Sequence, residues 1–378
     1  MKIVYCIQGI YNSGGMERIL SNKINYLIHN KGYDITIVTT EQKGRKPFFS
    51  FHDSVSCIDL GINYSDDSQK GIIGKGLSFL RKRKIHRQKL SEVLMKIRPD
   101  IVVSMFGTEA YFLPNIGDES KKILEIHFSK FFRIQYGRKG LWRIVDWYRS
   151  KQDERLVKKF DKFVVLTDED KEYWKSCNNI SVIHNFITDK IGNRAKLESK
   201  TAIAVGRLTY QKGYDRLIKA WKIVAEEYPD WHLNIYGDGE LYNELLEEIQ
   251  KEDLLNKITL NASVSDIESV YLNSSFLILS SRYEGLPMVL LEAFAYGLPV
   301  VSYTCKCGPR DVISNMIDGL LIEEGDIMAL ANGIKQMISD SSLRKNMGKN
   351  ALQKSKKFSQ NVVMNQWVTL FENLIVEK

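Results

Sequence analysis

The sequence predicts an α/β protein built from two successive rounds of strand–helix alternation. Three observations carry this reading. Short apolar runs alternate with segments of helical spacing from Lys2 to Ile183. A polar stretch of little periodicity, Asn185 to Lys200, interrupts them. The alternation then restarts at Thr201 and runs on to the short apolar segment Leu320–Ile322. With 378 residues, 44% hydrophobic and 26% charged, the chain is an ordinary globular one, long enough for two domains.

The first half opens with the strand Lys2–Ile7, a glycine loop, an amphipathic helix from about Met16 and a second strand ending in ITIVTT, which together make one βαβ unit. Gly14 and Gly15 stand directly before the helix, where small residues let a ligand approach the N-terminus closely. The spacing is not the dinucleotide G-x-G-x-x-G pattern. Residues 41–70 read as irregular. From Lys70 to Arg98 there are ten basic residues against one Glu, interleaved with Leu77, Phe79, Leu80, Ile85, Leu90, Val93 and Leu94. This is either a basic amphipathic helix for an anionic membrane surface or a solvated helix face. Pro99–Met105 and Lys122–His127 are strands, and His127 ends the second, where open α/β sheets place ligands. Residues 128–162 mix aromatics with cations, including Phe128, Phe131, Phe132, Trp147 and Tyr148 beside Arg133, Arg143 and Arg149. Lys162–Thr167 is a strand, Asp168–Lys175 a helix, and Ile180–Ile183 the last strand of this half.

In the second half Thr201–Val205 is a strand, followed by Gly206, Arg207, Lys212 and Gly213, and then by a helix from Tyr214. Two cations on the connection between a strand's C-terminal end and a helix start describe an anion site. The strand Trp231–Tyr236 runs into the turn Gly237-Asp238-Gly239-Glu240. Ile258–Asn261, Phe276–Leu279, Leu298–Ser302 and Leu320–Ile322 continue the sheet. The tail from 327 is helical in pattern, and Ser359–Val376 is amphipathic with Trp367 and Phe371 as apolar anchors.

The richest stretch is SSRYEGLPMVLLEAFAYGLP, Ser280 to Pro299. Glu284 sits on a loop before a helix starting near Met288, with Pro287 suited to its first turn. Glu292 follows about one and a half turns later, so both carboxylates can face one cleft. Free N–H groups of the loop and first turn suit phosphate oxygens, and the carboxylates suit sugar hydroxyls. A strand, a turn and a buried helix with two incidental acids is the competing reading, but an unpaired Glu292 on so apolar a helix would be costly.

Charge is unevenly spread. Residues 1–190 hold 33 Lys+Arg and 22 Asp+Glu, a net +11, whereas the remainder holds 21 and 24, a net −3. An acidic partner is therefore expected on the first half: an anionic membrane, a phosphorylated acceptor or nucleic acid. No DNA or RNA motif accompanies the charge, so nucleic acid is not expected. The five cysteines are scattered and no secretory signal opens the chain, which predicts a reducing cytosol without disulfides. Cys305 and Cys307 have no second pair to complete a zinc site.

Assembled, these residues resemble the retaining, sugar-nucleotide-dependent glycosyltransferases of the GT-B fold called family 4, over nearly the whole chain. The likeness rests on Glu284-x7-Glu292 around Gly285-Leu286-Pro287, and on Gly206-Arg207-Leu208 before Lys212-Gly213. Gly14-Gly15-Met16-Glu17-Arg18, Gly237-Asp238-Gly239, Gly308-Pro309-Arg310-Asp311 and Asp318-Gly319-Leu320 add to it. The resemblance implies two facing Rossmann-like domains with a cleft between them. Residues 1–190 would bind the acceptor, 191–358 the nucleotide sugar, and the helix 359–378 would cross back onto the first domain. By position, Arg207 and Lys212 would hold the donor diphosphate without a metal or other cofactor. Glu284 would contact the donor sugar and Glu292 the ribose. Gly206, Asp238, Gly285, Leu286 and Met288 would line the donor site, Gly15 would approach the diphosphate, and His127 would lie near the reaction centre. Two departures stand out: Leu260-Asn261-Ala262-Ser263 where the family has Phe-x-Gly, and His184-Asn185-Phe186 where Pro-Asn-Gly is commoner.

The implied activity is transfer of a hexose from a UDP-sugar, with GDP-mannose next, to a hydroxyl of a lipid-linked or growing surface glycan, as in capsule or O-antigen assembly. The enzyme would be cytoplasmic and peripheral on the inner face of the plasma membrane. A sugar-nucleotide epimerase of the same build, or a non-catalytic glycan- or nucleotide-binding protein, are the alternatives.

Overall fold

Parallel strands need long crossovers, and the spacing of the apolar runs provides them. The protein is seen in a computed structural model that describes residues 1–67, 71–135, 141–175, 177–188, 193–264 and 266–376. Parts of the basic run, the aromatic–cationic segment and the polar junction, at 68–70, 136–140 and 189–192, lie outside the described residues.

Seven strands of the first half are β1 (Lys2–Ile7), β2 (Asp34–Thr39), β3 (Ser56–Asp59), β4 (Ile101–Ser104), β5 (Lys121–Glu125), β6 (Lys162–Val165) and β7 (Ile180–Val182). Among the described residues they form one parallel sheet in the order β3-β2-β1-β4-β5-β6-β7. Six strands follow: β8 (Thr201–Val205), β9 (His232–Tyr236), β10 (Ile258–Asn261), β11 (Phe276–Leu279), β12 (Val300–Tyr303) and β13 (Gly319–Ile322). They form a second parallel sheet in the order β10-β9-β8-β11-β12-β13. This is the two-domain α/β fold expected, and the central strands β4, β11 and β12 are buried along their whole length, as parallel strands covered on both faces must be.

The strand β3 falls in the stretch read as irregular. Its residues, SCID, are mostly exposed, so no apolar pattern announces it. It is an edge strand made by backbone pairing along β2 from Thr36 to Thr39.

The chain divides into two compact units. One holds Met1–Leu166, Lys171–Ile183 and Met364–Lys378; the other holds Thr167–Asp170 and His184–Val363. In the first unit the helix Ile72–Ile97 is split in character. Leu90 and Leu94 are fully buried in the core beside Val4, Val102 and Phe163, whereas Leu77 and Leu80 are 66% and 62% exposed. The apolar positions of the basic run thus serve two purposes, packing at its C-terminal end and exposure near its start. On the helix Leu141–Leu156, Ile144, Trp147 and Tyr148 are also exposed. No helix among the described residues is long and apolar enough to cross a membrane.

Candidate functional site

The strand order of the second sheet reverses between β8 and β11. Connections leave these neighbouring strands for opposite sides, so the loops beyond their C-terminal ends part and leave a crevice. The loop after β8 carries Gly206, Arg207 and Lys212. The loop after β11 carries Ser280 to Pro287. Topology alone therefore brings together side chains 72 residues apart in sequence.

Lys212 Nζ donates to Glu284 Oε1 at 2.7 Å. The Ser281 hydroxyl donates to the same oxygen at 2.7 Å, and Gln211 Nε2 approaches Oε2 at 3.4 Å and donates to the Tyr283 carbonyl at 3.0 Å. Glu284 is 7% exposed, so this carboxylate is held by the protein rather than by water. Its backbone is fixed as well: its N–H donates to the Lys306 carbonyl (2.7 Å), and its carbonyl accepts from Cys307 N–H (3.1 Å). The two loops are further laced by Ser280 Oγ to the Lys212 carbonyl, Arg282 N–H to the Gln211 carbonyl, and the Arg282 guanidinium to the Tyr210 carbonyl. Arg282 also forms a two-pronged pair with Asp215, at 2.9 and 2.6 Å. Burial would raise the Asp215 carboxyl, but Arg282 outweighs it and holds it below the usual range.

Two glycines make this close approach possible. Gly213 has φ +66°, and a Cβ there would lie 2.3 Å from the Ser280 carbonyl oxygen. Gly237 has φ +154°, and its Cβ would lie 2.0 Å from the Gly206 oxygen, so the turn after β9 packs backbone to backbone on the loop after β8. Leu208 N–H donates to the Asp238 carbonyl at 2.9 Å in the same contact. The Asp238 side chain is exposed and accepts from Ser263 N–H and Oγ, so it bridges to the segment that departs from Phe-x-Gly.

Arg207 is exposed, and its guanidinium has no hydrogen bond or ion pair with a described residue. The two expected cations are thus unlike: Lys212 is committed to Glu284, and Arg207 is open to a ligand. The helix Met288–Ala295 begins after Pro287, which occupies the N-cap rather than the first turn, and no side chain caps it. Leu286 is buried, while Gly285 and Met288 are partly exposed at this N-terminus.

Glu292 is oriented by a residue the sequence reading did not single out. The buried Tyr271 hydroxyl donates to Glu292 Oε2 at 2.8 Å, and Tyr271 stacks on Tyr296 with centroids 5.4 Å apart. Burial first, then Glu268 beside it, pushes Tyr296 up to about 12. Gln211 and Tyr271 were missed because each acts through a partner distant in sequence, 73 and 21 residues away. Ser281, three residues before Glu284 at the end of an apolar strand, gave the one local signal.

In the first unit, Gly15 is exposed as the first residue of the helix Gly15–Lys31. The Glu17 carboxylate lies against Gly14, where an added Cβ would meet Oε2 at 2.2 Å. His127 lies two residues beyond β5, with its Nε2 3.0 Å from Glu125 Oε1. Among the described residues, no cluster of His, Cys, Asp and Glu is arranged to hold a metal ion.

A family profile described as "Glycosyl transferases group 1" matches residues 186–354, which span both loops of the crevice. The amylovoran biosynthesis glycosyltransferase AmsD of Erwinia amylovora is 31% identical over 97% of this chain and 98% of its own. The chain belongs to the group 1 glycosyl transferases. An N-acetyl-D-galactosaminyltransferase of Campylobacter jejuni, whose name gives a PP-undecaprenol-linked glycan, is 26% identical over 98% of each chain. Anabaena Alr3699/HepE, solved with UDP and glucose, superposes with a TM-score of 0.73 at 15% identity, covering 99% of this chain and 100% of that one. The glycosyltransferase has the GT-B fold that the resemblance implied.

Proposed function

We propose that this glycosyltransferase moves a hexose from a nucleoside-diphosphate sugar, a UDP-sugar before GDP-mannose, to a hydroxyl of a lipid-linked or growing surface glycan. The anomeric configuration is retained, as in family 4. The observation that carries the reading is the Lys212–Glu284 pair across the β8 and β11 loops, with the open Arg207 beside it. Arg207 and the remaining N–H groups of Lys212 take the diphosphate and neutralise it as it leaves, in the role a metal plays elsewhere. Glu284 meets the sugar hydroxyls and Glu292 the ribose. The backbone of Gly206, Gly285, Leu286 and Met288, with Asp238, lines the donor. Gly15 for the diphosphate and His127 for the transfer step follow from the resemblance by position. Attack from the leaving-group face, with a phosphate oxygen taking the acceptor proton, needs no protein nucleophile, so Glu284 positions and polarises. The UDP in the Anabaena complex supports the donor class, and the lipid-linked glycan in the Campylobacter enzyme's name, with the amylovoran of the Erwinia enzyme, supports the acceptor class.

A donor screen tests the site. UDP-glucose, UDP-galactose, their N-acetyl forms and GDP-mannose are compared by thermal shift and slow hydrolysis, each with and without EDTA. One donor is expected to raise the melting temperature selectively and to be hydrolysed at an undiminished rate in EDTA. No response to any donor overturns the assignment, and conversion to an epimer without acceptor replaces transfer by epimerisation.

The reading includes a cytoplasmic position at the inner face of the plasma membrane. The basic first half and the exposed Leu77, Leu80, Ile144 and Trp147 support it. Flotation with anionic vesicles at low salt is expected to carry the protein along, with release as salt rises. Failure to float with either anionic or neutral vesicles at low salt removes the membrane part.

A further inference from the structure

We propose that Glu125 and Lys23 are positioning residues for His127: Glu125 holds the imidazole as its Nε2–H tautomer, and Lys23, roofed by Trp367 of the C-terminal helix, clamps Glu125. The inference rests on the reading that His127 takes part in transfer.

The cluster is unusual on energetic grounds. Lys23, on the helix Gly15–Lys31, and Glu125, on β5, are 0% and 1% exposed. Burying two charges is a poor route to stability, since an apolar pair of the same volume often does as well or better. Their geometry is nonetheless complete. Lys23 Nζ donates to Glu125 Oε1 and Oε2 at 2.6 and 2.7 Å, from a position 102 residues away in sequence. The ammonium also sits 3.6 Å from the centroid of the Trp367 ring, and 5.8 Å from that of Tyr5 on β1.

The remaining capacity of Glu125 Oε1 goes to His127 Nε2 at 3.0 Å. A carboxylate only accepts, so the ring nitrogen facing it must carry the proton. When the ring carries a single proton, Nδ1 is its lone-pair nitrogen, and no described residue hydrogen-bonds it. Burial would raise the Glu125 carboxyl, but Lys23 and His127 outweigh it and hold it well below the usual carboxylate range, so the acceptor stays ionised. The tautomer is therefore fixed from behind, and Nδ1 is left to accept a hydrogen bond from a substrate hydroxyl. The C-terminal helix belongs to this clamp through Trp367, which the sequence alone marks only as an apolar anchor.

The test reads the tautomer directly. Imidazole nitrogen resonances of 15N-labelled protein are assigned by their loss in His127→Gln, and turnover is followed with the donor chosen by the screen above. The wild-type ring is expected as Nε2–H. In Glu125→Gln the Lys23 ammonium claims the amide oxygen, so the amide NH2 faces Nε2 and the ring switches to Nδ1–H. Turnover then falls by roughly 10-fold, the scale of one lost hydrogen bond from a substrate hydroxyl, with donor KM within about twofold of wild type. In Lys23→Met/Glu125→Gln nothing claims the amide oxygen. The tautomers become mixed and turnover recovers above the single variant. An unchanged Nε2–H ring in these variants, or lost turnover without a tautomer change, overturns the proposal. If Glu125→Gln does not fold, the double variant, free of an unpaired buried charge, decides alone: mixed tautomers are expected, and an unchanged Nε2–H ring overturns the proposal. If His127→Gln turns over like wild type, the role of His127 in transfer fails, while the resonances still decide the clamp.

Discussion

Lys212→Ala is expected to lower donor turnover by about 10²-fold or more, the scale of losing an electrostatic clamp at developing charge. Two effects combine. The leaving diphosphate loses a fixed cation, and Glu284 loses the ammonium 2.7 Å from Oε1. Glu284 keeps Ser281 and Gln211 as donors, yet at 7% exposure it becomes a buried charge without a counter-ion. Removing one member of a buried pair costs roughly 3–5 kcal/mol. A lower melting temperature should therefore accompany the rate loss. Single-turnover hydrolysis well below the new melting point separates the two, and Lys212→Arg, which keeps the charge, should recover stability more than rate because a planar guanidinium does not replace a point charge. Turnover within a few-fold of wild type in folded Lys212→Ala would discard the diphosphate role.

The two carboxylates should separate by kinetic constant. Glu292→Ala removes the partner of the Tyr271 hydroxyl and, in the proposed function, two hydrogen bonds to the ribose. A hydrogen bond to a charged group contributes about 1.5–3 kcal/mol, so donor KM should rise at least ~10-fold, with kcat little changed. Tyr271→Phe should reproduce part of this, because Glu292 keeps its charge and loses its orientation. Glu284→Ala should instead lower kcat, since its role is to hold the sugar and Lys212 in a reactive arrangement. It also leaves the Lys212 ammonium, 13% exposed, without its counter-charge. Full steady-state kinetics on both variants check the split, and equal, negligible effects from both would remove the site assignment.

These two predictions draw on different kinds of information. Glu284, Glu292, Arg207 and Lys212 could be chosen from the sequence because each lies at a junction that local chemistry marks: an apolar strand, a small-residue loop and a helix start. Strand identity was legible for the same reason. Parallel strands buried on both faces read as continuous apolar runs, so β1, β8 and β11 stand out. The exposed edge strand β3 did not, because backbone pairing rather than burial makes it.

Sequence by itself determined the two rounds of strand and helix, the glycine-marked loops and the residue types able to bind a sugar and a diphosphate. Tertiary structure decided which of those residues meet. The strand order of the second sheet sets β8 beside β11, so Lys212 is spent on Glu284 while Arg207 stays open, a distinction invisible when both are simply cations on one loop. Packing in the first unit likewise places Lys23, Glu125 and Trp367 behind His127, although helix, strand and C-terminal segment are far apart in the chain. The physical reason is common to both. Periodicity and composition act over a few residues, whereas a buried charge is satisfied by whatever partner the sheet order and the returning helix bring within hydrogen-bond reach.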